Sequence, residues 1–273
     1  MVNGYTPTTL AEALEIRAKE QVTPFAGGTD LMIRGDENAH YLFLHKIKEM
    51  REISEDDSYL KIGATCTFSE ILASTLCPAI LGDALSKIAA PAIRNMGTIG
   101  GNLGNGSAKA DSVLIFFVTD AKLRLAGSSG ERIIPIKDFY QGRKKLDLRP
   151  EELIVEVWMP KTALQANYRY EKIAAREALA ISRVSFAALI VMEDRKVQHL
   201  ATAFGAVSDV VIRRDDLDKM LIGLTIEEAK HKKQDYLAAM NEAIVPIRGR
   251  VSSEYRKSVC ENLLEDFLND YIK

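Results

Sequence analysis

The chain has 273 residues, 47% hydrophobic and 27% charged, with a formal net charge of −2. That is enough chain for a large buried core in two or three subdomains. The near-neutral balance offers no field to nucleic acid or an anionic membrane, no apolar run is long enough to span a bilayer, and three scattered cysteines, Cys66, Cys77 and Cys260, make no disulfide framework. The opening Met1-Val2-Asn3-Gly4-Tyr5 has neither the basic region nor the apolar stretch of a secretory signal, so a cytoplasmic location is expected.

In chain order, Thr9 with Glu12 reads as a capping box opening a helix to Lys19. Val22 to Ala26 is a short strand, Thr29 or Asp30 is placed to cap a helix through Arg34, and Tyr41 to Leu44 is a second strand. Tyr59 to Ala64 alternates as a strand; Thr67 with Glu70 caps a helix through Ala73, and Ile80 to Ala90 is helical. Asp111 to Thr119 is a short apolar helix. Lys122 to Leu125 and Arg132 to Ile136 flank the turn Gly127-Ser128-Ser129-Gly130, and Glu151 to Met159 is a strand. Tyr168 to Ile173, Val184 to Met192 and Val197 to Val207 are strands of a last unit. That unit closes with a helix capped by Thr225 and Glu228, then one from Ser252 or Ser253 with an apolar stripe of Tyr255, Val259, Leu263 and Phe267. The pattern is α+β, with boundaries giving units 1–54, 55–165 and 166–273.

Two glycine-rich stretches organise the chain: Pro24-Phe25-Ala26-Gly27-Gly28-Thr29-Asp30-Leu31, and Gly97-Thr98-Ile99-Gly100-Gly101-Asn102-Leu103-Gly104-Asn105-Gly106 running on to Asp111-Ser112. Each reads as paired glycines between an apolar strand and a polar helix start. Paired glycines bring backbone close to another surface, and free N–H groups at such a turn bind anions. Two such turns suit one long anionic ligand gripped twice, such as a dinucleotide pyrophosphate. Thr29, Thr98 and Asn102 add side-chain donors; Asp111 is suited to accept from ribityl or ribose hydroxyls or to cap the next helix. Neither stretch is a Gly-x-Gly-x-x-Gly fingerprint or a P-loop, no Gly-x-Ser-x-Gly elbow exists, and the four histidines show no metal-ligand spacing.

Ala-Gly-Gly-Thr-Asp-Leu, followed by Thr-Ile-Gly-Gly-Asn and Asn-Gly-x-x-x-Ala-Asp-Ser, resembles the medium, FAD-binding subunit of molybdenum hydroxylases, the family of the xanthine dehydrogenase FAD subunit and the carbon monoxide dehydrogenase medium subunit. Arg149 to Ile154, Tyr170-Glu171-Lys172 and Pro246 to Arg250 also look like family landmarks. The resemblance implies a two-part FAD-binding domain of the vanillyl-alcohol oxidase (PCMH) type, then a C-terminal α/β domain of antiparallel sheet plus helices. It implies FAD contacts at Pro24 to Leu31, Thr98 to Asn102, Asp111, Ile154 and Lys172, with Ile181 close to the flavin ring and Lys172 stabilising the reduced anion. Many relatives carry Ala-Ser-Pro where this chain has Gly106-Ser107-Ala108. Unlike some relatives, this chain lacks the cysteines for a cluster of its own.

The resemblance further implies partner subunits carrying the molybdenum–pterin centre and two [2Fe–2S] clusters, with NAD+ as acceptor. On this reading the chain transfers electrons and never touches the organic substrate; the motif variant leans towards xanthine dehydrogenase, with nicotinate, aldehyde and carbon monoxide branches open. Two other readings compete: a stand-alone FAD-dependent oxidase of the vanillyl-alcohol type, and a flavin-free interaction domain.

Overall fold

The computed structural model describes residues 4–36, 38–247, 249 and 251–273. Met1, Val2, Asn3, Glu37, Arg248 and Arg250 lie outside the described residues, including part of the opening stretch and of the late Pro246 to Arg250 landmark. The chain forms two compact units. The first comprises residues 1–106 and 120–161, the second 107–119 and 162–273.

The first unit opens with a parallel sheet in which β3 (Tyr41–Phe43) lies between β1 (Gly4–Tyr5) and β2 (Thr23–Phe25). Helix α1 (Leu10–Lys19) is capped by the Thr9 hydroxyl, but the expected box is only half formed: the Glu12 carboxylate accepts from the Thr8 N–H, at 2.8 Å, rather than from that of Thr9. Phe25, Tyr41 and Phe43 pack ring on ring on this sheet, with Phe25 5.6 Å from Tyr41 and 5.1 Å from Phe43.

An antiparallel sheet follows, in the order β4 (Ile53–Glu55), β5 (Tyr59–Gly63), β10 (Leu153–Pro160), β6 (Lys122–Gly127), β7 (Gly130–Pro135). Its inward alternation is Leu60 and Ile62 on β5, Leu123 and Leu125 on β6, Val155, Val157 and Met159 on β10, all buried. Helix α2 (Phe68–Ala73) begins at a complete Thr67–Glu70 capping box. Helix α3 (Ala79–Ser86) stops four residues short of the expected Ala90. The cause is local: Ala89 takes a left-handed conformation, φ 45°, and the Arg94 guanidinium takes the Ile88 and Ala89 carbonyls at 2.8 Å each. Helices α4 (Pro91–Arg94) and α5 (Ile99–Gly104), the short α7 (Ile136–Phe139) and the ribbon of β8 (Tyr140–Gly142) with β9 (Lys145–Leu146) complete this unit.

The second unit is an antiparallel sheet, β11 (Asn167–Ile173), β12 (Val184–Glu193), β13 (Lys196–Gly205) and β14 (Ile212–Arg213), in sequence order. The β12–β13 turn places Asp194 and Arg195 at φ 48° and 59°, the two left-handed residues a tight right-twisted hairpin needs. Helix α6 (Asp111–Val118), wholly buried, packs on β12 and β13; α8 (Lys161–Leu164) and α9 (Asp215–Asp218) are single turns. Helix α10 (Ile226–Ala243) starts at the Thr225–Glu228 box, and α11 (Ser253–Tyr271) is capped by Ser252. Of the expected stripe of α11, Phe267 is fully buried and Val259 and Leu263 pack against the core, beside the buried Arg256, Cys260, Leu264 and Leu268; only Tyr255 faces outward. The buried Arg256 donates from its guanidinium to the Ala206 and Val207 carbonyls at 3.2 and 3.1 Å. Among the described residues no helix is long and apolar enough to cross a membrane.

Candidate cofactor-binding site

The first glycine stretch leaves the sheet at the end of β2. Pro24 and Phe25 belong to the strand, and the chain turns through Ala26, Gly27, Gly28 and Thr29. Gly28 has φ 69°, and a Cβ there would lie 2.3 Å from the Phe25 ring, so this turn demands glycine twice over. A Cβ on Gly27 would lie 1.8 Å from the Met96 carbonyl oxygen and 3.1 Å from the Gly97 Cα. The two glycine stretches therefore sit backbone against backbone. Among the described residues, the backbone N–H groups of Gly27, Gly28, Thr29 and Asp30 have no protein acceptor, while the Gly28 carbonyl receives the Met32 N–H at 2.9 Å. Four successive unpaired donors in a half-buried turn form a nest for an anion.

The expected helix after this turn is a single 3-10 turn, Leu31–Arg34. Asp30 stands at its start without capping it, and Thr29 does not cap it either. The Asp30 carboxylate accepts from the Asn105 amide instead, which ties the end of the first stretch to the end of the second.

The second stretch departs further from expectation. No strand precedes it, and its glycines lie inside helix α5 rather than in an open turn before a helix. Thr98 caps α5, its hydroxyl accepting the Gly101 N–H at 3.1 Å. The Ile99 N–H goes to the Cys66 carbonyl at 3.0 Å, that of Gly100 to Ala64 at 2.8 Å, and that of Asn102 to Thr98 at 3.0 Å. The first turn of α5 thus spends its donors within the protein, and among the described residues the run of four unpaired donors belongs to the first glycine stretch.

What α5 offers is closeness. A Gly100 Cβ would strike Ala64, at 2.6 Å from its Cβ, so this glycine serves helix–strand packing. Gly101 and Gly104 are exposed; a Cβ on Gly101 would meet only the Thr98 hydroxyl, at 2.9 Å, and one on Gly104 only the Ile154 Cδ1, at 3.8 Å. Two exposed helical glycines each cost about 1 kcal/mol relative to alanine and gain no packing in return. A bare backbone face of this kind suits a flat or branched ligand lying against it. Ile154, 9% exposed at the bulge of β10, sits under that face. The buried Tyr140, its phenol pushed well up by burial, donates to the Leu103 carbonyl at 3.0 Å and holds the far end of α5.

The first unit accordingly gathers Pro24 to Leu31, Thr98 to Asn102 and Ile154. Asp111 and Lys172 lie in the second unit. Asp111 is the first residue of α6, buried, and does not cap it. Its Oδ2 accepts from Lys172 Nζ at 2.8 Å and its Oδ1 from the Ser182 hydroxyl at 2.7 Å. Both charged side chains are only 6% exposed, so Lys172 is a member of a buried ion pair. Ile181 is 69% exposed. Sequence reasoning missed the roles of Asn105, Gly104 and Ser182. The first two continue the glycine run and were open to notice; nothing in the sequence around Ser182 marks it.

A turn with four unpaired N–H groups beside a bare helix face is suited to an extended anionic ligand. The chain belongs to the family of FAD-binding subunits of molybdenum hydroxylases: the family described as "FAD binding domain in molybdopterin dehydrogenase" matches residues 1–162, and "CO dehydrogenase flavoprotein C-terminal domain" matches residues 169–271. Over 97% of its length the chain is 30% identical to the putative xanthine dehydrogenase FAD-binding subunit of Escherichia coli (strain K12), of which 94% is covered. It is 26% identical to the carbon monoxide dehydrogenase medium chain of Hydrogenophaga pseudoflava, covering 97% of this chain and 95% of that one. Among solved structures, reconstituted CO dehydrogenase from Oligotropha carboxidovorans superposes with a TM-score of 0.88 at 26% identity, covering 97% of this chain and 96% of that one.

Proposed function

We propose that the chain is the FAD-binding electron-transfer subunit of a molybdenum hydroxylase, receiving electrons from [2Fe–2S] clusters on a partner subunit and delivering them through FAD to NAD+. The observation that carries this reading is the row of unpaired N–H groups from Gly27 to Asp30, packed directly against the second glycine stretch. These donors suit the pyrophosphate oxygens of FAD, with Pro24 to Leu31 forming the wall of the turn. From the second stretch, Thr98 to Gly100 hold the helix in place, while Gly101 and Asn102 offer the surface along which the dinucleotide lies beside Ile154. Asp111, Lys172 and Ile181 are proposed as flavin residues on the family resemblance. FAD, when bound, exchanges electrons one at a time with one carrier and in pairs with another.

A molybdenum–pterin large subunit and an [2Fe–2S] small subunit are the proposed partners, in a complex of the xanthine dehydrogenase kind. Three free cysteines suit a cytoplasmic setting. The first test is the absorbance spectrum of the purified chain, with chromatography of the released cofactor and FAD titration if it emerges colourless. Release or tight uptake of FAD supports the reading; a folded chain that neither releases nor binds FAD overturns it.

A further inference from the structure

The connection between β11 and β12, residues 174–183, is organised beyond what a hairpin requires. Its base is shut by the Ile173–Val184 pair and by the Arg183 N–H on the Ile173 carbonyl at 2.8 Å. Within it, the Arg176 guanidinium donates to the Ala178 and Leu179 carbonyls at 3.0 and 2.5 Å. Leu179 is held at φ 54°, a conformation that a residue with a Cβ adopts at a cost. Leu179 and Ile181 are 54% and 69% exposed, two large apolar side chains held in water.

The two feet of this loop share one anchor. Lys172 stands just before the loop, Ser182 at its far end, and each takes a different oxygen of the Asp111 carboxylate. Asp111 is itself fixed at the first turn of the buried helix α6, where the helix dipole favours a negative charge. A buried carboxylate with one oxygen for each side of a loop limits the loop's freedom, because releasing either partner leaves a buried carboxylate oxygen without its hydrogen bond.

We propose that Ser182 is a positioning residue: through Asp111 Oδ1 it fixes the far foot of the loop so that Leu179 and Ile181 stand out as an apolar tip for the flavin ring. The inference rests on the FAD reading for its ligand and on the second unit alone for its geometry. Its test uses the full chain in three forms: unaltered, Ser182→Ala and Ser182→Thr. Hydrogen exchange without cofactor reads the anchor. The Arg183 amide, bonded to the Ile173 carbonyl, exchanges about tenfold faster in Ser182→Ala, the factor expected when a hydrogen bond to a charged group is lost from a local opening. Ser182→Thr keeps the slow rate, and the amides of β13, unchanged throughout, report an intact unit. Visible circular dichroism of bound FAD reads the tip: its flavin bands weaken in Ser182→Ala and are restored in Ser182→Thr.

Unchanged exchange in Ser182→Ala overturns the anchor. Faster exchange with unaltered dichroism overturns the presentation to flavin. If the unaltered chain takes up no FAD, the cofactor reading and the tip fall together, while the exchange comparison still decides the anchor.

Discussion

At the scale of single residues, glycines that look alike in sequence divide by what lies beside them. Gly27→Ala would drive a methyl into the Met96 carbonyl, a backbone atom that cannot step aside. It should cost about 3 kcal/mol or more, read by chemical denaturation of the cofactor-free chain. Gly101→Val should behave in the opposite way. Its Cβ meets only the Thr98 hydroxyl, so the cost is that of a disturbed helix cap, about 1 kcal/mol, and the melting temperature should fall by no more than a few degrees while FAD uptake is lost. A variant that binds FAD normally would remove Gly101 from the cofactor face. The pair of stretches was legible from composition and spacing. Which glycine faces protein and which faces solvent was not, because that depends on Ala64 and Met96, neither of them marked in the sequence.

Elements show the same division between local and distant causes. The Thr67–Glu70 and Thr225–Glu228 boxes formed as read because every atom involved lies within four residues. The end of α3 was misread because the left-handed Ala89 and the Arg94 side chain on the Ile88 and Ala89 carbonyls stop it, which no periodicity records, and at the start of α11 Tyr255 is turned outward where Arg256 reaches the distant Ala206 and Val207 carbonyls. Charge pairs give two expected outcomes at this scale. Lys172→Met leaves the Asp111 carboxylate buried with Ser182 alone and should destabilise the chain by about 3 kcal/mol, read as a lower denaturation midpoint. In the first unit, Glu152 on the edge of β10 takes two hydrogen bonds from Arg132, at 2.7 and 2.8 Å, and this partner holds its carboxyl below the usual range. A depressed folded value means that the stabilisation is present above the unfolded value of about 4.3 and is lost as pH falls through the folded one. Glu152→Gln should therefore cost about 2 kcal/mol at pH 7, and the gap to the unaltered chain should close in melts below about pH 4.

For the whole molecule, the strands and helices of the last unit were legible in alternation and capping residues, while its antiparallel sheet was what the family resemblance implied. Strand neighbours were not legible: β10 lies between β5 and β6, an order that comes from side-chain burial across the sheet. Binding to the folded state adds stability by mass action, so FAD at about 100 times its dissociation constant should raise stability by about 2.7 kcal/mol. Calorimetry on the chain with and without FAD checks this; an unmoved transition would count against a cofactor site in the folded chain.

The central place of β10 also sets a timetable for synthesis. Strands β5 and β6 leave the ribosome before the strand that pairs with both of them, and α6 emerges before β12 and β13, on which it packs. Until residues 153–160 are made, two strand edges are open to the wrong partner. A pause in translation before that point would lengthen the exposure, so chaperone demand and yield should be more sensitive to elongation rate upstream of β10 than downstream of β13.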